Sequence, residues 1–462
     1  MQDKREERIK KFTTAELFPL IVGMAIPSMI GMMVATIYNM TDTFWVGKLG
    51  SEVCTASVGV VFAFTSVIQA IGFWFGYGSG NYISRMLGKK DYEEAEKMAA
   101  IGVSIAALAS VVIVVSGLIF IRPLIEILGG ASSQELFEAT KGYLLITICS
   151  VPFMLFSNVI YNQLRLSGAA KSSMLGLLVG MIINMILDPV FILKMNMGVK
   201  GAAVASLLGQ VAGCAMLYHQ TCQGGNVAVM VKNCKPDLFH VKEILSGGAP
   251  NFCRQGITSI SAVFVNNIAG IYGVSVIAAV TVSTRVAYMA YALVIGFGQG
   301  FQPVCAINYG AGNYERVRKA FKLTLTAITV FLVVSAPVLW VFAGELTGAF
   351  TTRTEVMTLA ARMLRAQCVV LPFMGYYILS GMMLQNIGRF GLATGVTIAE
   401  NGTVFIPTLL IFSYLWQVNG IILSKPVASV VALICSFVIG TYAFRKYLCI
   451  ERRTEDEVLK SI

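Results

Sequence analysis

The chain has 462 residues, of which 56% are hydrophobic and 13% charged, against about 25% charged in an ordinary soluble domain. That composition excludes a water-soluble globular protein and points to a chain solvated mainly by lipid. The formal charge of +11 is not gathered into one basic patch, so nucleic acid is not an expected partner.

In chain order, Met1 to Glu16 is charged and has no small-residue cleavage site, so it reads as a cytoplasmic segment (1–16) ahead of an uncleaved first span. Runs long enough to cross a ~30 Å hydrocarbon core as helices lie near 17–46, 53–83, 98–121, 138–160, 171–194 and 198–221. A polar linker (223–242) separates them from a second set near 243–270, 276–302, 317–343, 356–383, 390–415 and 421–444, and a tail (446–462) closes the chain. The expected fold is an all-α integral membrane protein of twelve transmembrane helices in two six-helix lobes, 17–222 and 243–445. With both termini inside, the clusters Lys4–Lys11, Arg316–Lys322 and Arg445–Arg453 all fall on the cytoplasmic side, as the positive-inside rule requires. The ten cysteines form no CxxC pair, and His219 and His240 both fall towards a polar loop, so neither a disulfide scaffold nor a His-rich metal centre is expected.

The halves resemble each other at an offset near 220 residues. Pro27 matches Pro250, Gly76-Tyr77-Gly78 matches Gly298-Gln299-Gly300, and Leu87-Gly88 to Tyr92-Glu93 matches Ala311 to Glu315. Val151-Pro152-Phe153-Met154 matches Leu371-Pro372-Phe373-Met374, Leu164–Gly168 matches Leu384–Gly388, and Val199-Lys200-Gly201 matches Val418-Asn419-Gly420. Six matches in order imply a parallel internal repeat, an architecture whose transport site is expected near the midplane.

Asp42, Asp188 and Glu400 are the acids deep inside the hydrophobic runs. A carboxylate there costs about 2.5–3.5 kcal/mol on insertion scales, so it marks a binding or proton-carrying site. Tyr38 and Asp42 are four residues apart and share a helix face, as do Asn184 and Asp188. Pro189 takes the usual donor from the Met185 carbonyl, which leaves an oxygen-rich pocket of the kind hard cations prefer. At a rise of 1.5 Å per residue, Asp42, Asp188 and Ser206 each lie about 6–12 Å in from the outer face. The repeat partners of the two aspartates fall near Val265 and Ile406, both apolar, so ion chemistry is expected in the first lobe. Glu400 lies near the midplane of the eleventh span, where three readings stay open: a cationic-substrate contact, a proton carrier, or an ion-pair partner of Arg285 or Arg254.

Several of these stretches resemble those of multidrug and toxic compound extrusion (MATE) transporters. Pro27 with Tyr38-Asn39-Met40-Thr41-Asp42-Thr43-Phe44-Trp45-Val46-Gly47 resembles the family's first helix, and Asn184 to Ile192 its fifth. Met197-Gly198-Val199-Lys200-Gly201-Ala202-Ala203 resembles the start of the sixth; Gln302-Pro303 with Asn308 to Asn313 resembles the end of the eighth. The resemblance implies a V-shaped central cleft and export of small lipophilic, often cationic compounds driven by Na⁺ or H⁺. It also implies a cation or proton site at Asp42, Asn184, Asp188 and Ser206, with Tyr38 beside it, and Na⁺ as a possible metal at the first four. Where some relatives carry an Asn four residues before the arginine of the Leu-Arg motif, here Arg165, this chain has Tyr161, flanked by Asn158 and Asn162.

Glu400, Asn158, Tyr161, Asn162, Tyr288 and Met289 are therefore the candidate substrate-cleft residues, and Pro27 the candidate helix bend. Phe62, Phe64 and Tyr291 fit either an adaptable apolar cleft or plain packing. No organic cofactor is expected. Gly168-Ala-Ala-Lys171-Ser172 lacks the spacing of a phosphate loop, so the energy must come from a gradient. The chain offers no nucleophile–base pair for an enzyme. A lipid-linked precursor flippase of the same superfamily is the alternative; it would need cations lining the cleft, for which Arg254 and Arg285 are the candidates. The cell membrane is the expected location and a monomer the default state.

Overall fold

The computed structural model describes residues 2–229, 237–351 and 353–448; the side chains at 2, 35–40, 42 and 43 lie outside the described residues. Every element among the described residues is helical: α1 (Gln2–Thr14), α2 (Leu17–Gly47), α3 (Glu52–Gly88), α4 (Tyr92–Ile119), α5 (Ile121–Ile127), α6 (Gln134–Leu166), α7 (Ala170–Pro189) and α8 (Val199–Cys222). There follow α9 (Leu238–Ile271), α10 (Val274–Gly310), α11 (Tyr314–Val341), α12 (Ala343–Gly348), α13 (Thr354–Val370), α14 (Met374–Asn386), α15 (Phe390–Ile398) and α16 (Phe405–Tyr447). Side chains satisfy several helix starts: Ser51, Asp91 and Ser133 each accept from the backbone N–H three residues on.

Ten helical stretches among the described residues are long and apolar enough to cross a membrane, where twelve spans were expected. Two physical reasons account for the difference. Helix α9 is 34 residues long but is diluted by Asn251, Arg254, Gln255 and a run of hydroxyls. The last stretch, Phe390–Tyr447, is 58 residues long, about 87 Å if straight and far beyond a ~30 Å core. It is broken at Gln417, whose φ of 51° and ψ of −128° are not helical.

The fold divides into two compact units: Met1–Lys11 with Pro27–Gly248, and Phe12–Ile26 with Ala249–Ile462. The first turns of α9 pack with the first unit. Trp74 of α3 donates to the Leu245 carbonyl at 2.7 Å, and Arg85 pairs with Glu243. Helix α2 changes unit at Pro27, and α9 changes within two residues of Pro250. The charged N-terminal segment forms a helix because Ile9 and Phe12 are buried, at 5% and 1% exposure. Arg5 binds Glu96 at 2.7 Å and the Asn226 carbonyl at 3.1 Å.

Local backbone geometry recurs between the halves. Alpha-helices α6 and α14 end in the same cap: Ala169 N–H donates to Leu164 O and Arg389 N–H to Leu384 O, both at 2.8 Å, around Gly168 and Gly388 at φ of 85° and 79°. Gly198 (φ 58°, ψ −136°) opens α8 in the conformation that Gln417 (φ 51°, ψ −128°) adopts inside α16. Three residues on, Gly201 and Gly420 each press against a preceding backbone, at Phe191 and Phe412, where a Cβ would collide. The Pro152 and Pro372 matches differ: α6 runs through Pro152, whereas Leu371–Phe373 forms a 3₁₀ turn between α13 and α14.

Candidate functional site

In the first unit, α7 does not stop at Pro189 but continues as a π-helical segment, Val190–Lys194, a device frequent at functional sites. One turn before it, Asn184 and Asp188 are fully buried. The Asn184 amide donates to Asp188 Oδ1 at 3.2 Å and to Ser206 Oγ at 3.4 Å. Three of the expected coupling residues therefore meet, two from α7 and one from α8. Gly209 and Gly180 permit the approach, since each sits against the other's carbonyl. Tyr38 and Asp42 lie on α2, but their side chains are outside the described residues.

The asparagines of α6 do not join that group through the contacts described here. Asn158 and Asn162 donate to the carbonyls of Met154 and Asn158, each at 2.8 Å along their own helix. Both press against α3 at Gly72 and Gly76. Asn162 also accepts from Arg165 at 3.1 Å. Arg165 is wholly buried, with its guanidinium 5.1 Å from the Tyr77 ring centre. Tyr161 is 6% exposed, with its hydroxyl beside Gly31 of α2.

The second unit holds Glu400, 3% exposed, inside another π-helical segment, Ala399–Thr403. Its partner is neither Arg254 nor Arg285, the two expected cations, but Lys425 of α16, with Nζ 3.1 Å from Oε1. Lys425 also donates to Asn401 Oδ1 at 2.5 Å and lies over the Phe405 ring at 5.2 Å. Ser261 of α9 donates to the Asn401 carbonyl, which ties the bulged turn to α9. The Tyr377 hydroxyl is buried within electrostatic reach of Glu400, in no hydrogen bond of ordinary geometry. Arg254 instead contacts Tyr291 and Asn251, each at 3.5 Å. Tyr288 and Met289 are exposed, at 51% and 66%.

Outside the spans, His240 is clamped between carboxylates of the first unit: Nε2 is 2.6 Å from Glu94 and Nδ1 2.5 Å from Asp237. The His240 backbone N–H and ring together hold the Asp237 carboxyl down at about 2. The tail beyond 448 and part of the linker (230–236) lie outside the described residues.

A family model, MatE, matches residues 27–190 and again 250–411. The chain belongs to the MatE family. Both matches begin at the paired prolines, and each ends near the span that carries a buried acid. Among curated proteins, the multidrug export protein MepA of Staphylococcus haemolyticus (strain JCSC1435) is 28% identical over 98% of this chain and all of its own length. MepA of Staphylococcus aureus (strain MSSA476) is 26% identical over 97% of this chain and 98% of its own. Among solved structures, a MATE protein in a bent conformation superposes with a TM-score of 0.89 at 25% identity, over 97% of this chain and 98% of that one. Membership makes this chain a multi-pass membrane transporter, not an enzyme. Nothing in the MatE match singles out Lys425. The signal available in the sequence was the charged residue in Ser424-Lys425-Pro426, within the last apolar run.

Proposed function

We propose that this chain is a secondary active multidrug efflux antiporter of the cytoplasmic membrane. It exports lipophilic, often cationic compounds in exchange for Na⁺ or H⁺ that enters through a site in the first lobe. Asp42, Asn184, Asp188 and Ser206 form that site, with Tyr38 beside it. The observation that carries the reading is the Asn184 amide bridging the buried Asp188 and the half-buried Ser206 next to a π-helical break. The names of the staphylococcal relatives support the substrate class.

The assembly is proposed as twelve spans in two repeated lobes with both ends cytoplasmic. α9 is one span, and Gln417 divides the last stretch into two. The recurring caps, the Gly198/Gln417 turn and the doubled family match support the duplication. In the outward-open state the carboxylates take up Na⁺ or protons, which removes their mutual repulsion. The amide and hydroxyl contacts then rearrange, and the first helix responds where Pro27 leaves the Gly23 carbonyl without its usual donor. Substrate leaves outward, and release of the ion inward resets the lobes.

The test is uptake of a fluorescent lipophilic cation into inverted vesicles under a Na⁺ gradient or a pH gradient imposed separately. Uptake driven by one gradient and lost in Asp42→Asn is expected, and it names the ion. Full export by Asp42→Asn would remove that residue from the mechanism. No uptake under either gradient would overturn the reading in favour of lipid-precursor flipping.

A further inference from the structure

Apart from the coupling residues, the first unit gathers a second set of ionisable side chains at the start of α9. Asp237, just before the helix, accepts from the His240 backbone N–H at 2.9 Å. The His240 ring is buried, with Nδ1 2.5 Å from Asp237 Oδ1 and Nε2 2.6 Å from Glu94 Oε1 of α4. A neutral imidazole carries one N–H and can donate to only one of these carboxylates; the imidazolium donates to both. Among the described residues, two further groups face the clamp. The Tyr82 hydroxyl of α3 donates to Glu94 at 3.0 Å, and Lys97 of α4 lies 3.6 Å from Asp237 and 3.9 Å from Glu94. Arg85 of α3 and Glu243 of α9 pair with each other one turn further on and add no net charge. With a protonated His240, the charges of Asp237, Glu94, Lys97 and the ring cancel. Loss of the ring proton leaves one negative charge in excess and aims a nitrogen lone pair at a carboxylate. Further along, Gly78 and Gly248 allow close backbone contact between α3 and α9, at Ile244 and Trp74, and no proton controls that attachment.

From this arrangement we infer that His240 is a latch governed by cytoplasmic pH, fastening the first turns of α9 to α4 in acid and releasing them as the pH rises. Histidine is the side chain whose charge ordinarily changes between about pH 5 and 8. Helix α9 continues into the second unit after Gly248. Pro250 leaves the Ser246 carbonyl without its usual donor, so the helix has a bend point fewer than about three turns beyond the latch. A fastened latch restrains that bend and slows exchange; a released one speeds it. The effect on transport rests on the export reading, but the opening of the latch does not.

Hydrogen exchange of the peptide covering the first turns of α9, in the full-length protein in nanodiscs, reads the latch directly. Between about pH 6 and about pH 9, and corrected for the intrinsic effect of pH, wild-type exchange should speed about ten-fold or more, the factor that loss of a hydrogen bond between charged groups implies. Peptides from α11 should not follow. His240→Gln, which cannot take up the proton, should exchange fast throughout. Glu94→Gln should exchange slowly throughout, because its amide can donate to a neutral ring whose Nδ1–H keeps Asp237. Dye uptake into inverted vesicles is measured with both compartments shifted in pH together, so that the gradient stays fixed. In acid, His240→Gln should run about two-fold or more faster than wild type; in alkali, Glu94→Gln should run slower by a similar factor. Wild-type exchange that ignores pH, or that rises alike in wild type and His240→Gln, would overturn the inference. Should His240→Gln fail to fold, fast alkaline exchange in Glu94→Gln overturns it instead. The expected exchange with equal uptake in all three proteins would remove the latch from transport. Absence of uptake in wild type counts against the export reading, and exchange alone then decides the latch.

Discussion

Each unit places a buried acid beside a π-helical bulge, Asp188 before Val190–Lys194 and Glu400 within Ala399–Thr403. The supporting backbone is alike as well, in the turn at Gly198 or Gln417 and the close approach at Gly201 or Gly420. What differs is the donor. Asp188 accepts from a neutral amide at 3.2 Å; Glu400 accepts from the Asn401 amide at 3.4 Å and, in addition, from an ammonium at 3.1 Å. An amide orients a carboxylate without cancelling its charge; an ammonium cancels it. Glu400 therefore has its charge balanced within its own chain, whereas Asp188 is the carboxylate proposed above to trade H⁺ or Na⁺. An acid in a membrane span is evidence of chemistry only once its neighbour is known.

The largest effect expected from this contrast lies in transport. Asp188→Asn keeps the shape of the side chain and should abolish gradient-driven uptake while costing only about 1 kcal/mol of stability. Glu400→Gln should behave in reverse, with uptake of a cationic dye retained and thermal stability reduced. Vesicle uptake and intrinsic tryptophan fluorescence on heating read the two outputs separately. If both variants lose coupling alike, the distinction drawn from their donors fails.

Next in size is the ion pair itself. Removing one partner of a fully buried pair costs about 3–5 kcal/mol, and the partial exposure of Lys425 reduces this to about 2–3 kcal/mol. Glu400→Gln with Lys425→Met should recover most of that loss, since neither charge is then stranded. A double variant no more stable than Glu400→Gln alone would show that Lys425 does not stabilise the carboxylate.

The sequence pointed to both buried acids but showed the neighbours of only one, for a physical reason. Asn184 and Asp188 are a helical turn apart and precede a proline, so their shared face and the freed carbonyl follow from local geometry alone. Ser206 needed only the family's motif order to be placed beside them. Lys425 is tied to Glu400 by packing between helices 25 residues apart in sequence, and a lysine near the start of an apolar run reads as one that reaches back to the interface. The same limit applies to the unit boundaries. Hydropathy located the spans, but whether the first turns of α9 pack with the preceding or following helices depends on contacts such as Trp74 with Leu245. The N-terminal helix was hidden likewise, because Ile9 and Phe12 are too few to register against its charges.

Glycine substitutions sharpen the comparison of scaffolds at a smaller scale. A Cβ on Gly201 would lie 2.7 Å from the Phe191 carbonyl carbon, inside the π-helical segment after Asp188. Gly201→Ala should cost about 1–3 kcal/mol and slow coupled uptake by shifting that segment. Gly402 lies within the other bulge and faces the Ile257 side chain instead of backbone. Gly402→Ala should therefore disturb stability less, and cation uptake hardly at all. Comparable losses of uptake in both variants would mean that the two bulges serve the same step.

The smallest expected effect runs the other way. Gln417 holds a positive φ of 51° where its counterpart in the first half is Gly198, and a side chain in that region costs about 1 kcal/mol or more. Gln417→Gly should remove that cost, offset in part by the greater freedom of glycine in the unfolded chain. The melting temperature should rise by a degree or so, with uptake unchanged. Such a result would make the turn a relic of the shared scaffold, kept in the second half without the residue that suits it best. A fall in uptake instead would mean that the strain at Gln417 is used, and the second half would then contribute to the transport cycle through its backbone.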